Sequence, residues 1–170
     1  MIYRFRVILD THEDVFRDIE IAATSTLEDF HNAITQAFGF GGQEMASFYV
    51  SNELWEQGEE IALFDMSEGD TPVRVMSETI LEDTVWEKQT RLLYIYDFLS
   101  MWTFMVELAE ITEPQDGFSY PNLMFAHGEI PEEAPEKEFI IEDKEGVTND
   151  DDVDLDPEDY DSLDFNENWN

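Results

Sequence analysis

Over 170 residues the chain sets 42 acidic side chains against 8 basic ones, for a formal net charge of −34 at pH 7, and contains no cysteine. A field of that sign repels phosphate backbones and anionic lipid, so neither direct nucleic-acid binding nor membrane association is expected. The missing thiols exclude disulfides, thiolate zinc sites and cysteine nucleophiles.

Hydrophobic residues make up 42% of the sequence, with 13 Phe and 4 Trp, enough to build one core. The expected organisation is a domain over residues 1–135 and an acidic tail over residues 136–170. No run approaches the ~20 apolar residues needed to cross a bilayer, and the opening MIYRFRVILD lacks the unbroken apolar stretch of a signal peptide. The cytoplasm is the expected compartment.

Tyr3, Phe5, Val7 and Leu9 alternate with Arg4 and Arg6, which predicts a half-buried strand from Ile2 to Leu9. After the polar turn Asp10 to Asp14, Val15, Arg17, Ile19 and Ile21 repeat the alternation, so the two segments read as a hairpin. Arg4 and Arg6 are expected to pair across it with acids such as Asp18 and Glu20. Ser25-Thr26-Leu27-Glu28 fits a capping box, Leu27, Phe30, His31, Ile34, Ala37 and Phe38 recur at helical spacing, and Gly39 is placed to end the helix. His31 falls in the apolar stripe, where a hydrogen-bonded core histidine is expected and a ligand or base is the alternative.

The glycines from Gly39 to Gly42 follow a helix, where phosphate-binding loops precede one. Strands are expected over Ser47 to Ser51 and Glu59 to Asp65, a loop from Met66 to Pro72, and a short helix from Met76 to Trp86 anchored by Ile80, Leu81 and Val85. The centre of the chain is Arg91 to Ile111, a predicted pair of antiparallel strands joined through Leu99-Ser100-Met101. Leu92, Tyr94, Tyr96 and Phe98 share one face of the first strand, and Trp102, Phe104, Val106 and Leu108 one face of the second. Leu93 and Ile95 on the opposite face predict partial cover on both sides. Beyond Ile111, four prolines punctuate a stretch carrying Phe118, Tyr120, Leu123, Met124 and Phe125, expected to wrap the core as a long irregular segment.

In the tail the run Asp150 to Asp156 suggests an EF-hand, but that loop needs glycine at its sixth position and glutamate at its twelfth. Counting from Asp150 these are Leu155 and Asp161, and from Asp152 they are Pro157 and Leu163, so no dedicated calcium site is expected. Leu155, Tyr160, Leu163, Phe165 and Trp169 are interspersed among the acids, a composition suited to docking on a basic, partly apolar surface.

No catalytic signature stands out. His12, His31 and His127 lie near no Gly-x-Ser-x-Gly motif, and no HxH or HxxxH spacing supports a metal site. Asp97, at the end of a central strand between Tyr96 and Phe98, is the most arguable functional residue, but turn capping or pairing with a base such as Arg91 is the expected role and a functional one the alternative. No catalytic residue, metal ligand or cofactor is assigned.

A strand pair, then TLEDFHNAITQAFGF (Thr26 to Phe40), SFYV (Ser47 to Val50), LLYIYDFLSMW (Leu92 to Trp102) and YPNLMFAHGEIPEEAP (Tyr120 to Pro135), resembles the plasmid pRiA4b open-reading-frame-three-like family. The resemblance implies a small α+β protein of a group often encoded near mobile elements, whose biochemical role is largely unassigned. The resemblance runs from about Ile2 to Pro135, leaving the acidic tail outside. It implies retention of Tyr96, Asp97, Phe98, Trp102 and the helix histidine at His31. The chain departs at Leu99, Ser100 and Met101, where the family has glycine and acids, and at Phe104, where it has histidine. It departs again at Glu44 and Ala46, where histidines are usual, and over Glu129 to Ala134, where cysteines are. If relatives use those polar groups for metal binding or chemistry, most of the set is replaced here.

The fold expected is therefore α+β, a mostly antiparallel sheet packed by one main helix in a β-β-α-β-β order like that of ubiquitin-like grasps. The expected function is a non-enzymatic interaction module that engages a basic partner protein through its acidic surface and tail. The alternative is a metal-assisted hydrolase of mobile-element-associated type, built on Asp97 and His31, with Trp102 as a further candidate functional residue.

Overall fold

Alternating side chains on β1 (Ile2–Leu9) place Tyr3, Phe5, Val7 and Leu9 on one face, and all four are buried. The computed structural model describes residues 1–66 and 73–135. The elements after β1 are β2 (Phe16–Ala22), α1 (Leu27–Phe38), β3 (Ala46–Val50), β4 (Glu60–Ala62), β5 (Arg74–Val75), β6 (Arg91–Tyr96), β7 (Trp102–Thr112) and β8 (Asn122–His127). Among the described residues the strands form one sheet ordered β5-β4-β3-β6-β7-β1-β2-β8, antiparallel throughout except for β4 beside β5. The fold is α+β and mostly antiparallel. Its first five elements run β-β-α-β-β, and the expected central hairpin, β6 and β7, lies in the middle of the sheet.

One side of this sheet is the core. Leu92, Tyr94 and Tyr96 of β6 and Trp102, Phe104, Val106 and Leu108 of β7 are buried with the β1 set against Leu27, Phe30, Ile34 and Phe38 of α1. The contact is largely ring on ring: Phe5 to Phe30 at 4.4 Å between centroids, Phe30 to Phe48 at 5.6 Å, Phe38 to Phe104 at 4.7 Å. Each such ring removed from water contributes roughly 1.5–3 kcal/mol.

The other face is ordered in cross-strand rows. Tyr49, Leu93, Met105, Ile8, Phe16 and His127 stand opposite one another in turn across β3, β6, β7, β1, β2 and β8. The next row alternates in charge, Arg91, Glu107, Arg6, Asp18, with ion pairs Arg91–Glu107 at 3.1 Å and Arg6–Asp18 at 2.8 Å. In a third, Arg4 binds Glu20 at 2.7 Å and Glu110 at 2.6 Å. The expected Arg4 and Arg6 pairings are formed, as opposite charges facing each other across strands should be.

Local chemistry shifts several expectations. The helix cap is one residue later than Ser25: the Thr26 hydroxyl accepts the Asp29 amide and the Asp29 carboxylate accepts the Thr26 amide, each at 3.1 Å. Residues 76–86 do not form the short α-helix expected; Met76–Glu78 and Leu81–Asp83 are two separate 3₁₀ turns. Thr79 and Thr84 hydroxyls bond the carbonyls of Val75 and Ile80, a local competition that interrupts helical bonding. Phe98 does not join the buried face of β6, because the strand ends at Tyr96 and the chain turns. The long irregular wrap is also corrected: Asn122–His127 is a strand, paired antiparallel with β2. The candidate tail residues Leu155, Tyr160, Leu163, Phe165 and Trp169 lie outside the described residues.

β8 is held by a buried cation. Arg17 lies on the core face of β2 and donates to the carbonyls of Phe16 and His127 through Nη1 at 2.8 and 2.9 Å, of Gly128 through Nη2 at 3.2 Å, and of Ala37 through Nε at 3.2 Å. Its guanidinium sits 4.9 Å from the Phe38 ring. One fork thus ties the end of α1, where a cation is favoured, to the end of β8. Gly128 completes the join: at φ +84°, a Cβ there would fall 2.4 Å from the Asp14 carbonyl oxygen.

Candidate functional site

The end of α1 builds the site that holds two of the three sequence candidates. Gly39 takes a left-handed φ of 80°, its amide donates to Gln36 and the Phe40 amide to Thr35, a Schellman arrangement. That turn aims Phe40 back at the sheet, where its ring stacks on Tyr96 at 4.8 Å and meets Trp102 at 5.0 Å. His31, earlier along the same buried face of α1, lies 6.4 Å from Tyr96 and 5.9 Å from Tyr94 between centroids. His31 and Trp102 therefore belong to one aromatic cluster, linked through Tyr96 and Phe40.

His31 is 2% exposed, and its Nδ1 lies 2.6 Å from the Tyr94 hydroxyl oxygen. Burial pushes the imidazole pKa down. Burial, and then the nearby Tyr96, push the Tyr94 phenol well above its usual range. Both groups are neutral near pH 7, and in the Nε2–H tautomer of His31 the Tyr94 hydroxyl donates to Nδ1. Tyr96 is committed as well, accepting the Gly42 amide at 3.0 Å.

Asp97 begins the turn that follows. Its backbone is left-handed, at φ 64°, as is that of Met101, at φ 61°. The Asp97 carboxylate accepts the Leu99 amide at 3.2 Å, its amide donates to the Met45 carbonyl at 2.7 Å, and its carbonyl accepts from Met101 at 2.6 Å. The carboxylate faces its own turn, an Asx arrangement that a short acidic side chain favours. Arg91, the base considered as its partner, binds Glu107. The turn presents Leu99 to solvent at 97% exposure and borders a cavity of about 380 Å³ lined by Ser100, Trp102, Glu132, Glu133 and Ala134. Among the described residues no three His, Asp or Glu side chains are grouped to hold a metal ion.

Two residues of this region, and one outside it, carry more than the sequence suggested. Tyr94 is the partner of His31, Phe40 bridges the helix to Trp102, and Arg17 fixes the far edge of the sheet. The signal for Arg17 was its place in the Val15, Arg17, Ile19, Ile21 alternation, which puts a cation on the apolar face.

No helix among the described residues is long and apolar enough to cross a membrane. No curated protein matches this chain. The chain is similar in structure to a crystal structure of MM3350, a protein of unknown function from Methanosarcina mazei Go1, with TM-score 0.64 and 23% identity over 74% of this chain and 68% of that one. The family model described as plasmid pRiA4b ORF-3-like protein matches residues 1–168, well past Pro135. With nearly its whole length matched by that model, the chain belongs to the plasmid pRiA4b ORF-3-like family.

Proposed function

We propose that this protein is a cytoplasmic, non-enzymatic interaction module that engages a basic partner protein through its acidic surface and tail. The observation that carries the reading is the fate of the positive charge. Arg4, Arg6, Arg74 and Arg91 are each paired with a carboxylate, and Arg17 is buried beneath α1. Little cationic charge is left to offset the acids, so the external field is that of a polyanion, which steers basic partners and is screened by salt.

The hydrolase alternative draws less support. Catalysis through His31 and Asp97 would need groups with free valence turned toward a shared substrate position. The His31 Nδ1 is taken up by Tyr94 and the Asp97 carboxylate caps its own turn.

Immobilised full-length chain is expected to recover a basic protein from lysate at low salt and to lose it when salt is raised. Removing residues 136–170 is expected to abolish recovery, and equal capture by the shortened chain contradicts the assignment of the tail.

A further inference from the structure

The two edges of the sheet are finished differently. β5, at one end, is two residues long and carries Arg74 paired with Glu59, a short charged edge of the kind that prevents strand addition. β8, at the other, spans Asn122–His127 and among the described residues pairs only with β2. In this strongly acidic chain, residues 117–128 contain no Asp, Glu, Lys or Arg. Leu123, Met124 and Phe125 of β8 are 48%, 44% and 52% exposed. Met124 is the extra residue where the register shifts, for Asp18 faces Phe125 and Ile19 faces Leu123, so it has no partner on β2.

This edge is also rigidly built. Arg17 binds the carbonyls of His127 and Gly128, Asn122 donates to Glu20 at 3.2 Å, and Phe16 stacks on His127 at 5.2 Å and meets Phe125 at 5.9 Å. A strand fixed by a buried arginine and, among the described residues, left apolar, uncharged and without a neighbour on its outer edge is suited to an occupant, since bare edges of this kind otherwise template aggregation.

Charge identifies the occupant. A basic partner finds no carboxylate between residues 117 and 128 to answer its cations. A second copy of this chain, repelled wherever acids face acids, can approach along this uncharged strand. We propose that the protein forms a two-fold dimer in which β8 lies antiparallel to β8 of a second copy, covering Leu123, Met124 and Phe125 with the axis beside Met124. The contact is self-complementary, as a closed two-fold interface requires, and continues the sheet across the pair. This goes beyond the basic-partner reading, and salt acts on it in the opposite sense. Salt screens the repulsion between two polyanions and strengthens the dimer, while it weakens capture of a basic protein.

Sedimentation equilibrium of the full chain tests this. The expected result is a species of twice the 19.9 kDa chain mass that tightens as salt is raised. Met124→Glu and Met124→Lys should each weaken self-association at least about tenfold by bringing like charges together at the axis, with circular dichroism unchanged. An equimolar mixture of the two variants should regain the dimer through opposite charges, which a merely misfolded variant could not do. A monomer at every salt concentration overturns the proposal. So does a dimer indifferent to charge at position 124, or self-association that weakens with salt.

Discussion

The Nδ1 of His31 on α1 and the hydroxyl of Tyr94 on β6 lie 2.6 Å apart inside the core, joining helix to central strand by a polar contact within a largely apolar interface. Tyr94→Phe leaves the imidazole nitrogen buried without a partner. It should cost about 1–3 kcal/mol in urea unfolding, although the substituted ring fills the same space. His31→Leu combined with Tyr94→Phe should cost less than the sum of the two single changes, because the second change no longer strands a partner.

The same pair predicts a pH dependence. Burial lowers the pKa of His31 in the folded state, so below about pH 6.5 the unfolded chain binds a proton that the folded chain does not. Stability should therefore fall as pH is lowered from that point, by at most about 1.4 kcal/mol per pH unit from this residue, until the folded-state pKa is reached. Chemical denaturation of the native chain and of His31→Leu between about pH 7.5 and 5.5 isolates the term. The slope in this window should be smaller in the variant.

Arg17→Met should destabilise the fold by roughly 2–3 kcal/mol, since the carbonyls of Phe16, Ala37, His127 and Gly128 lose their shared donor. Arg17→Lys should recover only part of that loss, as a single ammonium cannot match the geometry of the fork. Amide exchange should show the added opening concentrated in β8, ahead of the global transition.

Glycines 117 and 128 have nearly the same positive φ but different surroundings. Gly117→Ala meets open space and should cost only about 1–2 kcal/mol of left-handed strain. Gly128→Ala meets the Asp14 carbonyl and Val15 as well, and should be clearly the more damaging in thermal melts.

These predictions also mark what could be read in the sequence. Strand β1, the pairing of Arg4 and Arg6, the helix and the central hairpin were legible because each has a period of its own, two residues for strands and 3.6 for α1. β8 was not, because its bulge at Met124 breaks the alternation and both sides of the strand remain exposed, leaving no inside–outside contrast. The turn role of Asp97 could be foreseen from its residue type, whereas Tyr94 as the partner of His31 could not. Residues 31 and 94 are brought together only by the packing of α1 on the sheet.

Asp97→Asn keeps the acceptor for the Leu99 amide and tolerates the left-handed backbone, so stability should change by less than about 0.5 kcal/mol. Asp97→Ala loses both advantages and should cost about 1–2 kcal/mol. Urea titration of the two variants separates a turn role from a purely electrostatic one, in which both changes would act alike.

The most direct test of the interaction account is calorimetric titration of the full chain with the basic protein recovered from lysate, repeated from about 0.05 to about 0.5 M salt. The account predicts binding that weakens steeply as salt rises and survives in Asp97→Asn. Salt-independent binding, or turnover of the recovered protein that Asp97→Asn abolishes, would contradict it.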